Sequence, residues 1–222
     1  MILNVNEAVC QRKCIREFSP EPIPDAILLE LVEKAGRAPS SKNTQPWSLH
    51  LLRGDALEAL RTDYLATFDT GDKPRPSYQY SPEPLPEAWM ERARQVGFSL
   101  FEHKGIGRED RDKRKAHNRE NFRFFGAPNM FYLSTTRDFE PGTLMDCGMF
   151  IQNLMVLLAG NGYGSCPMYS AVFYPDVVAR HLGLDDSTLL LCGLAAGTPL
   201  PQSHVNKFDT IREPISNWFK IY

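Results

Sequence analysis

Three cations fall within five residues in Arg12-Lys13-Cys14-Ile15-Arg16, a density whose natural counterpart is an anion. In an extended backbone alternate side chains share a face, so Arg12, Cys14 and Arg16 would project together. Two guanidiniums converging on one point make a phosphate clamp, because each donates parallel hydrogen bonds. The competing reading is a solvated charge run. Cys10 and Cys14 have no nearby histidine or second cysteine pair, which argues against a metal site.

A second stretch, Arg37 to Trp47, offers hydrogen bonds instead of charge. Pro39 and Pro46 push Ala38 and Gln45 away from helical backbone, which predicts an extended, stiff loop. Such a loop presents Ser40, Ser41, Asn43 and Gln45 to a flat ligand with polar edges. The alternative is a helix-to-strand connection whose polar residues satisfy only their own backbone.

The flanking elements must hold these stretches in place. Asn4 to Gln11 reads as a short helix. Ser19-Pro20-Glu21-Pro22 is a turn, and Pro24 suits the first position of a helix running through Lys34, with Ile27, Leu28, Leu31, Val32 and Ala35 on its apolar side. Trp47 to Leu52 reads as a strand and Asp55 to Leu65 as a helix. Phe68 to Pro86 holds five prolines together with Tyr78 and Tyr80, the composition of a covering loop. Leu85 to His103 is helical, with Trp89, Ala93, Val96, Leu100 and Phe101 as its apolar side. Gly107 to Glu120 is a charge block with helical propensity. Met130 to Thr135 and Thr188 to Ala195 read as buried strands, and Pro175 to Leu182 as a short helix. Thr143 to Asn161 is a helix apolar nearly all round, which needs the core on one side and a second subunit on the other. The tail from Gly197 to Tyr222 carries Ile215, Trp218, Phe219 and Ile221, side chains it could bury across a partner.

Composition sets the limits. The 222 residues suit one domain, and a net charge of -2 gives no general pull toward nucleic acid or an anionic membrane. Met1 to Glu7 shows no secretory signal, and Met145 to Leu158 is short and holds Asp146, so a buried helix is expected in preference to a membrane span. The five cysteines, without Cys-x-x-Cys, point to a reduced, cytoplasmic chain.

Along nearly its whole length the chain resembles the FMN-dependent nitroreductase superfamily. The resemblance is carried by Arg12 to Phe18 and Ala38 to Trp47. Phe124-Phe125-Gly126-Ala127-Pro128, Gly162 to Pro167, Asn206-Lys207-Phe208 and Arg212-Glu213-Pro214 support it. No Gly-x-Gly-x-x-Gly fingerprint competes with it. The resemblance implies an α+β fold, a central mixed sheet flanked by helices, in an intertwined homodimer with two FMN molecules at the interface. Arg12, Lys13, Cys14, Arg16 and Arg212 would hold the FMN phosphate. Pro39, Ser40, Ser41 and Asn43 would come from the opposite subunit, and the Pro167-Met168 backbone would lie along the flavin ring. Residues 198–222 would embrace the partner. Family members usually carry serine where this chain has Cys14, and a thiol is the weaker hydrogen-bond donor.

The implied activity is reduction of nitroaromatic or quinone acceptors by NADH or NADPH, in a ping-pong cycle through the flavin. The histidines are scattered and no acid-base pair stands out, so no catalytic side chain is expected and solvent would supply protons. Residues 68–105 would cover the substrate, with Lys42, Tyr78, Tyr80, Trp89 and Arg92 as substrate-binding candidates; ordinary packing is the alternative for each aromatic. Reductive dehalogenation or flavin fragmentation on the same scaffold, and a non-catalytic flavin-binding protein, are the competing functions.

Overall fold

Strand β2 (Asn129–Thr136) lies between β1 (Ser48–Leu52) and β4 (Thr188–Gly197), and β3 (Gly164–Met168) closes the far edge, giving the order β1-β2-β4-β3. This computed structural model describes residues 3–222; Met1 and Ile2, part of the segment read above for a secretory signal, lie outside the described residues. All three ladders are antiparallel. Among the described residues, parallel pairing is confined to one isolated bridge, Cys14 to Ser165. The α+β class is as expected, but the four-stranded sheet is antiparallel throughout where a mixed sheet was expected, the Cys14 bridge lying outside its strands.

Successive strand residues face opposite sides, so β2 feeds two cores. Met130 and Tyr132 enter one, and Phe131 and Leu133 the other. On β4 the parity switches. Leu189 and Leu191 share a core with Leu194 and Ala196, because the register shifts opposite Leu133 and Ser134. An extra residue there turns the rest of the strand over.

Helices α2 (Asp25–Ala35) and α6 (Pro141–Gly160) cover one face. The other is covered by α3 (Gly54–Asp69), α5 (Arg111–Phe122) and α7 (Pro175–Leu182). The remaining helices are α1 (Val5–Gln11) and α4 (Glu87–His103). Asn4 caps α1 by accepting the Glu7 N–H at 3.1 Å, while the Glu7 carboxylate accepts the Asn4 N–H at 2.9 Å. Pro24 is the cap of α2 and not its first helical residue, with ψ near 138°. Helix α3 outruns its expected end by four residues, to Asp69, because Leu65 and Phe68 pack onto the core. No residue of α4 is buried, and its apolar side chains Trp89 and Phe98 are 51% and 63% exposed.

Among the described residues α6 alone is long and apolar enough to cross a membrane. Here it is a core helix whose Phe150, Leu154 and Leu158 are buried, while Met145 stays 70% exposed on its other side.

Backbone approach matters most at Gly164, where β3 meets the Arg12 to Arg16 stretch. A Cβ there would fall 2.5 Å from Cγ1 of Ile15 and 2.9 Å from Cγ of Pro199. Both neighbours are stiff and neither swings aside. Gly164→Ala is therefore expected to destabilise the fold by about 1–3 kcal/mol, measured by urea unfolding. Unchanged stability would show that the two segments are not closely packed.

Candidate functional site

The cationic stretch is fixed to the sheet edge by three sets of contacts. The Ile15 N–H donates to the Ser165 carbonyl at 3.0 Å, extending the bridge at Cys14. Asn206 holds the next turn of chain: its Oδ1 accepts the N–H groups of Arg16 at 2.8 Å and Glu17 at 3.2 Å, and its Nδ2 donates to the Glu17 carbonyl. The Ser19 N–H and the Thr198 carbonyl add a third tie at 2.9 Å. Ile15 and Phe18 are buried, so the intervening side chains turn outward.

Arg12 and Lys13 line a cavity of about 310 Å³ with Gly164, Ser165 and Pro199. Lys13 pairs with Asp209 at 3.3 Å. Among the described residues neither Arg12 nor Arg16 has a carboxylate partner. Arg16 rests over the Phe125 ring, 6.0 Å from its centre, and donates weakly to the Cys14 carbonyl at 3.5 Å. Phe125 and Phe124 both have left-handed backbone, with φ of 55° and 53°. Arg61 braces that turn, donating at 3.0 Å to the carbonyls of Arg123 and Ala127. Arg12 on the cavity and Arg16 over Phe125 are thus guanidiniums without a carboxylate partner, a donor pair suited to an anion.

Between them, the Cys14 thiol is held down at about 6 by the neighbouring Cys166 thiol and by Arg16 and Arg12, against the opposing effect of burial. Cys166 itself is pushed well above the ordinary thiol range, by its contact with Cys14 and by burial. The flanking arginines therefore favour the Cys14 thiolate over the thiol when no ligand is present.

The Pro39 loop is not extended throughout, as proline placement suggested. It contains a 3₁₀ turn, Ser41–Asn43, and left-handed backbone at Lys42, Asn43 and Gln45. Pro46 disfavours right-handed helix at Gln45, and the chain answers with φ of 47°. Part of its polarity is used locally, since Ser40 Oγ accepts the Gln45 N–H at 2.9 Å. The Ser41 N–H donates to buried Asp146 at 3.1 Å, and Trp47 stacks on Phe150 with centres 5.0 Å apart. Pro39, Ser41, Lys42 and Asn43 are exposed.

A single chain does not bring this loop to the cations. The loop is anchored at Asp146, whereas the cavity beside Arg12 is lined by Ala159, which is thirteen residues or roughly 20 Å further along α6. Nor does it bring Arg212 to them. That side chain donates to the Thr210 carbonyl at 2.9 Å and lines a separate groove of about 150 Å³ with Arg92. Arg92 reaches Glu213 at 3.8 Å, and Trp89 projects from the same exposed helix.

Tyr78 and Tyr80 do meet, at Tyr169. Tyr80 lies 4.8 Å from its ring, Tyr78 5.3 Å, and the three border a groove of about 430 Å³. The Tyr78 hydroxyl donates to the Leu191 carbonyl at 2.6 Å. Tyr169 follows Pro167-Met168 directly, so the proline-rich segment docks beside exposed Pro167 and buried Met168. Sequence reasoning missed Tyr169, Cys166 and Asp146. A lone carboxylate in an apolar helix was the available signal for Asp146; nothing local marked the other two.

These features describe an α+β protein with two arginines lacking carboxylate partners at one end of β3 and an aromatic groove beyond its other end. The chain belongs to the Nitroreductase family, whose pattern it matches over residues 9–198. It is 31% identical to nitroreductase NfnB of Mycolicibacterium smegmatis, covering 84% of this chain and 79% of that protein. It is 30% identical to a 4-nitrobenzoate reductase of Pseudomonas putida, covering 92% and 89%. The crystal structure of the FMN and NADPH-dependent nitroreductase NfnB from Sphigopyxis sp. strain HMH superposes with a TM-score of 0.95 at 33% identity over 99% of both chains.

The thiol environment is directly measurable. Alkylation of Cys14 in the ligand-free protein is expected to rise with pH around a midpoint of about 6. Cys147 and Cys192, pushed up to about 11 and about 12 mainly by burial, react only at much higher pH. Cys166→Ala removes the neighbouring thiol and moves the Cys14 midpoint upward; an unmoved midpoint would rule out the thiol contact.

Proposed function

We propose that this chain is an FMN-dependent reductase that uses NADPH or NADH to reduce nitroaromatic acceptors, acting as a homodimer. The observation that carries the proposal is the pair of guanidiniums without a carboxylate partner that flank Cys14, Arg12 lining the cavity at β3 and Arg16 resting over Phe125. Family membership supports it, as do relatives named for nitroreduction of 4-nitrobenzoate and chloronitrobenzene.

The donor set fits the cofactor. Arg12, Arg16 and Lys13 would hold its phosphate, with the Cys14 thiol between the arginines. Bound there, FMN would supply the redox chemistry between NAD(P)H and the acceptor. The chain's own work is binding and orientation. Pro167 and Met168 would offer backbone to the ring edge, and Tyr78, Tyr80 and Tyr169 an aromatic wall for a flat substrate. Donor and acceptor would use that slot in turn, a ping-pong cycle, and quinones would fit it as well as nitroaromatics. No side chain is assigned as general acid.

A second copy accounts for what one chain leaves open. It would bring Pro39, Ser40, Ser41 and Asn43 to the flavin across the roughly 20 Å that α6 interposes. It would also cover Met145, Val5, Val9 and the tail residues Ile211, Ile215, Trp218 and Ile221, all more than half exposed. Arg212 and Lys42 would reach the site only in that assembly.

Purified protein is expected to bind FMN, to bleach anaerobically with NADPH and to recover its colour with 4-nitrobenzoate. Protein that stays colourless after incubation with FMN, or a monomer by sedimentation, would overturn the reading. Arg12→Ala and Arg16→Ala should each weaken FMN binding roughly ten- to a hundredfold, since a charge-assisted hydrogen bond contributes about 1.5–3 kcal/mol. Cys14 adds a pH signature. Above about 6 it is a thiolate and repels the phosphate. The affinity of wild type relative to Cys14→Ser should therefore fall as pH rises from 5 to 8, read by flavin fluorescence. A pH-independent ratio would place Cys14 away from the phosphate.

A further inference from the structure

We propose that Cys14 and Cys166 are a paired dithiol that closes into a disulfide when a hydroperoxide reaches the phosphate end of the site. Only the effect of FMN on this closure rests on the functional reading above.

Backbone geometry brings the two residues together. Cys14 bridges to Ser165 in parallel register, and the adjoining Ile15 N–H to Ser165 carbonyl bond fixes that register at 3.0 Å. Strand spacing of about 4.8 Å, combined with one residue of offset, puts the Cα atoms of Cys14 and Cys166 about 6 Å apart. That lies within the range a disulfide spans, about 4.4–6.8 Å. The pleat alone would turn them to opposite faces, and it is their shared packing in one apolar cluster, where each sulfur acts on the other, that brings the thiols together.

Their surroundings differ in the way such a pair needs. Cys14 is half-buried and flanked by guanidiniums, while Cys166 is only 4% exposed. An oxidant therefore meets Cys14 first, as the thiolate, and Cys166 is shielded until its neighbour has reacted. The other thiols lie elsewhere: Cys10 in α1, Cys147 in α6 and Cys192 in β4.

The chemistry balances in two steps. The Cys14 thiolate attacks one oxygen of hydrogen peroxide. The O–O bond breaks, leaving a sulfenic acid at Cys14 and a hydroxide that takes a proton to become water. The Cys166 sulfur then attacks that of Cys14. The S–S bond forms, the S–O bond breaks, and the departing hydroxide leaves as water with the Cys166 proton. Two thiols give up two electrons and two protons, and one peroxide becomes two waters. Glutathione or another dithiol reverses the change.

The test uses full-length protein, stripped of FMN and then saturated with it, treated with hydrogen peroxide. The stripped protein is expected to lose two of its five thiols and about 2 Da of mass. Peptide mapping should join Cys14 to Cys166, and dithiothreitol should restore both thiols. In Cys166→Ser the partner is missing, so Cys14 should instead gain about 16 or 32 Da as sulfenic or sulfinic acid. Bound FMN should slow the cross-link at least tenfold by covering Cys14. Wild-type Cys14 that over-oxidises without a cross-link, or a disulfide involving Cys10, Cys147 or Cys192, would overturn the proposal. A cross-link formed equally fast with and without FMN would support the pair and overturn the placement of the phosphate.

Discussion

The site depends on two arginines held at the edge of a sheet with no carboxylate opposite either of them, only the Cys14 sulfur between them. Arginines on a surface normally find a carboxylate or stay in water. Here Arg12 and Arg16 are held by a backbone that bonds to β3 on one side and to Asn206 on the other. The strain of keeping like charges together is met by burying Ile15 and Phe18 between them and the core. In the proposed function, a ligand carrying phosphate would relieve the repulsion between them.

The same economy explains α6. A helix apolar on all sides would be insoluble alone, yet one flank packs on α2 and the sheet while Met145 and Met149 lie uncovered. Its buried Asp146 is the exception to its composition, and its role is to accept the Ser41 N–H. The helix thereby sets the position of a loop far from the cations that its other end adjoins.

Much of this was legible before any coordinates. The helices were readable from their 3.6-residue pattern and β2 and β4 from apolar runs buried on both faces, whereas β3, five residues interrupted by Pro167, was not read as a strand. The Arg12 and Pro39 stretches stood out because charge density and paired prolines are local signals. Other features were not local. Pro24 sits one residue earlier than the proline rule suggests, because a cap tolerates the same backbone. The parity switch in β4 arises from pairing with β2 and leaves no mark in composition. The left-handed turn at Lys42 and Asn43 depends on anchoring by Asp146 and Phe150, a hundred residues away. Cys166 and Tyr169 were overlooked for the same reason: each gains meaning only from the segment that docks on it. Arg212, read as a phosphate ligand, lies in this chain with Thr210 and Arg92.

The separation of the two half-sites along α6 carries a genetic consequence. In the proposed dimer each subunit gives its cations to one flavin and its loop to the other. Two variants, one defective in the cationic stretch and one in the loop, would each be inactive when expressed alone. Mixed pairs of the two would hold one site carrying both lesions and one carrying neither, so co-expression would rescue half of the sites in every hybrid.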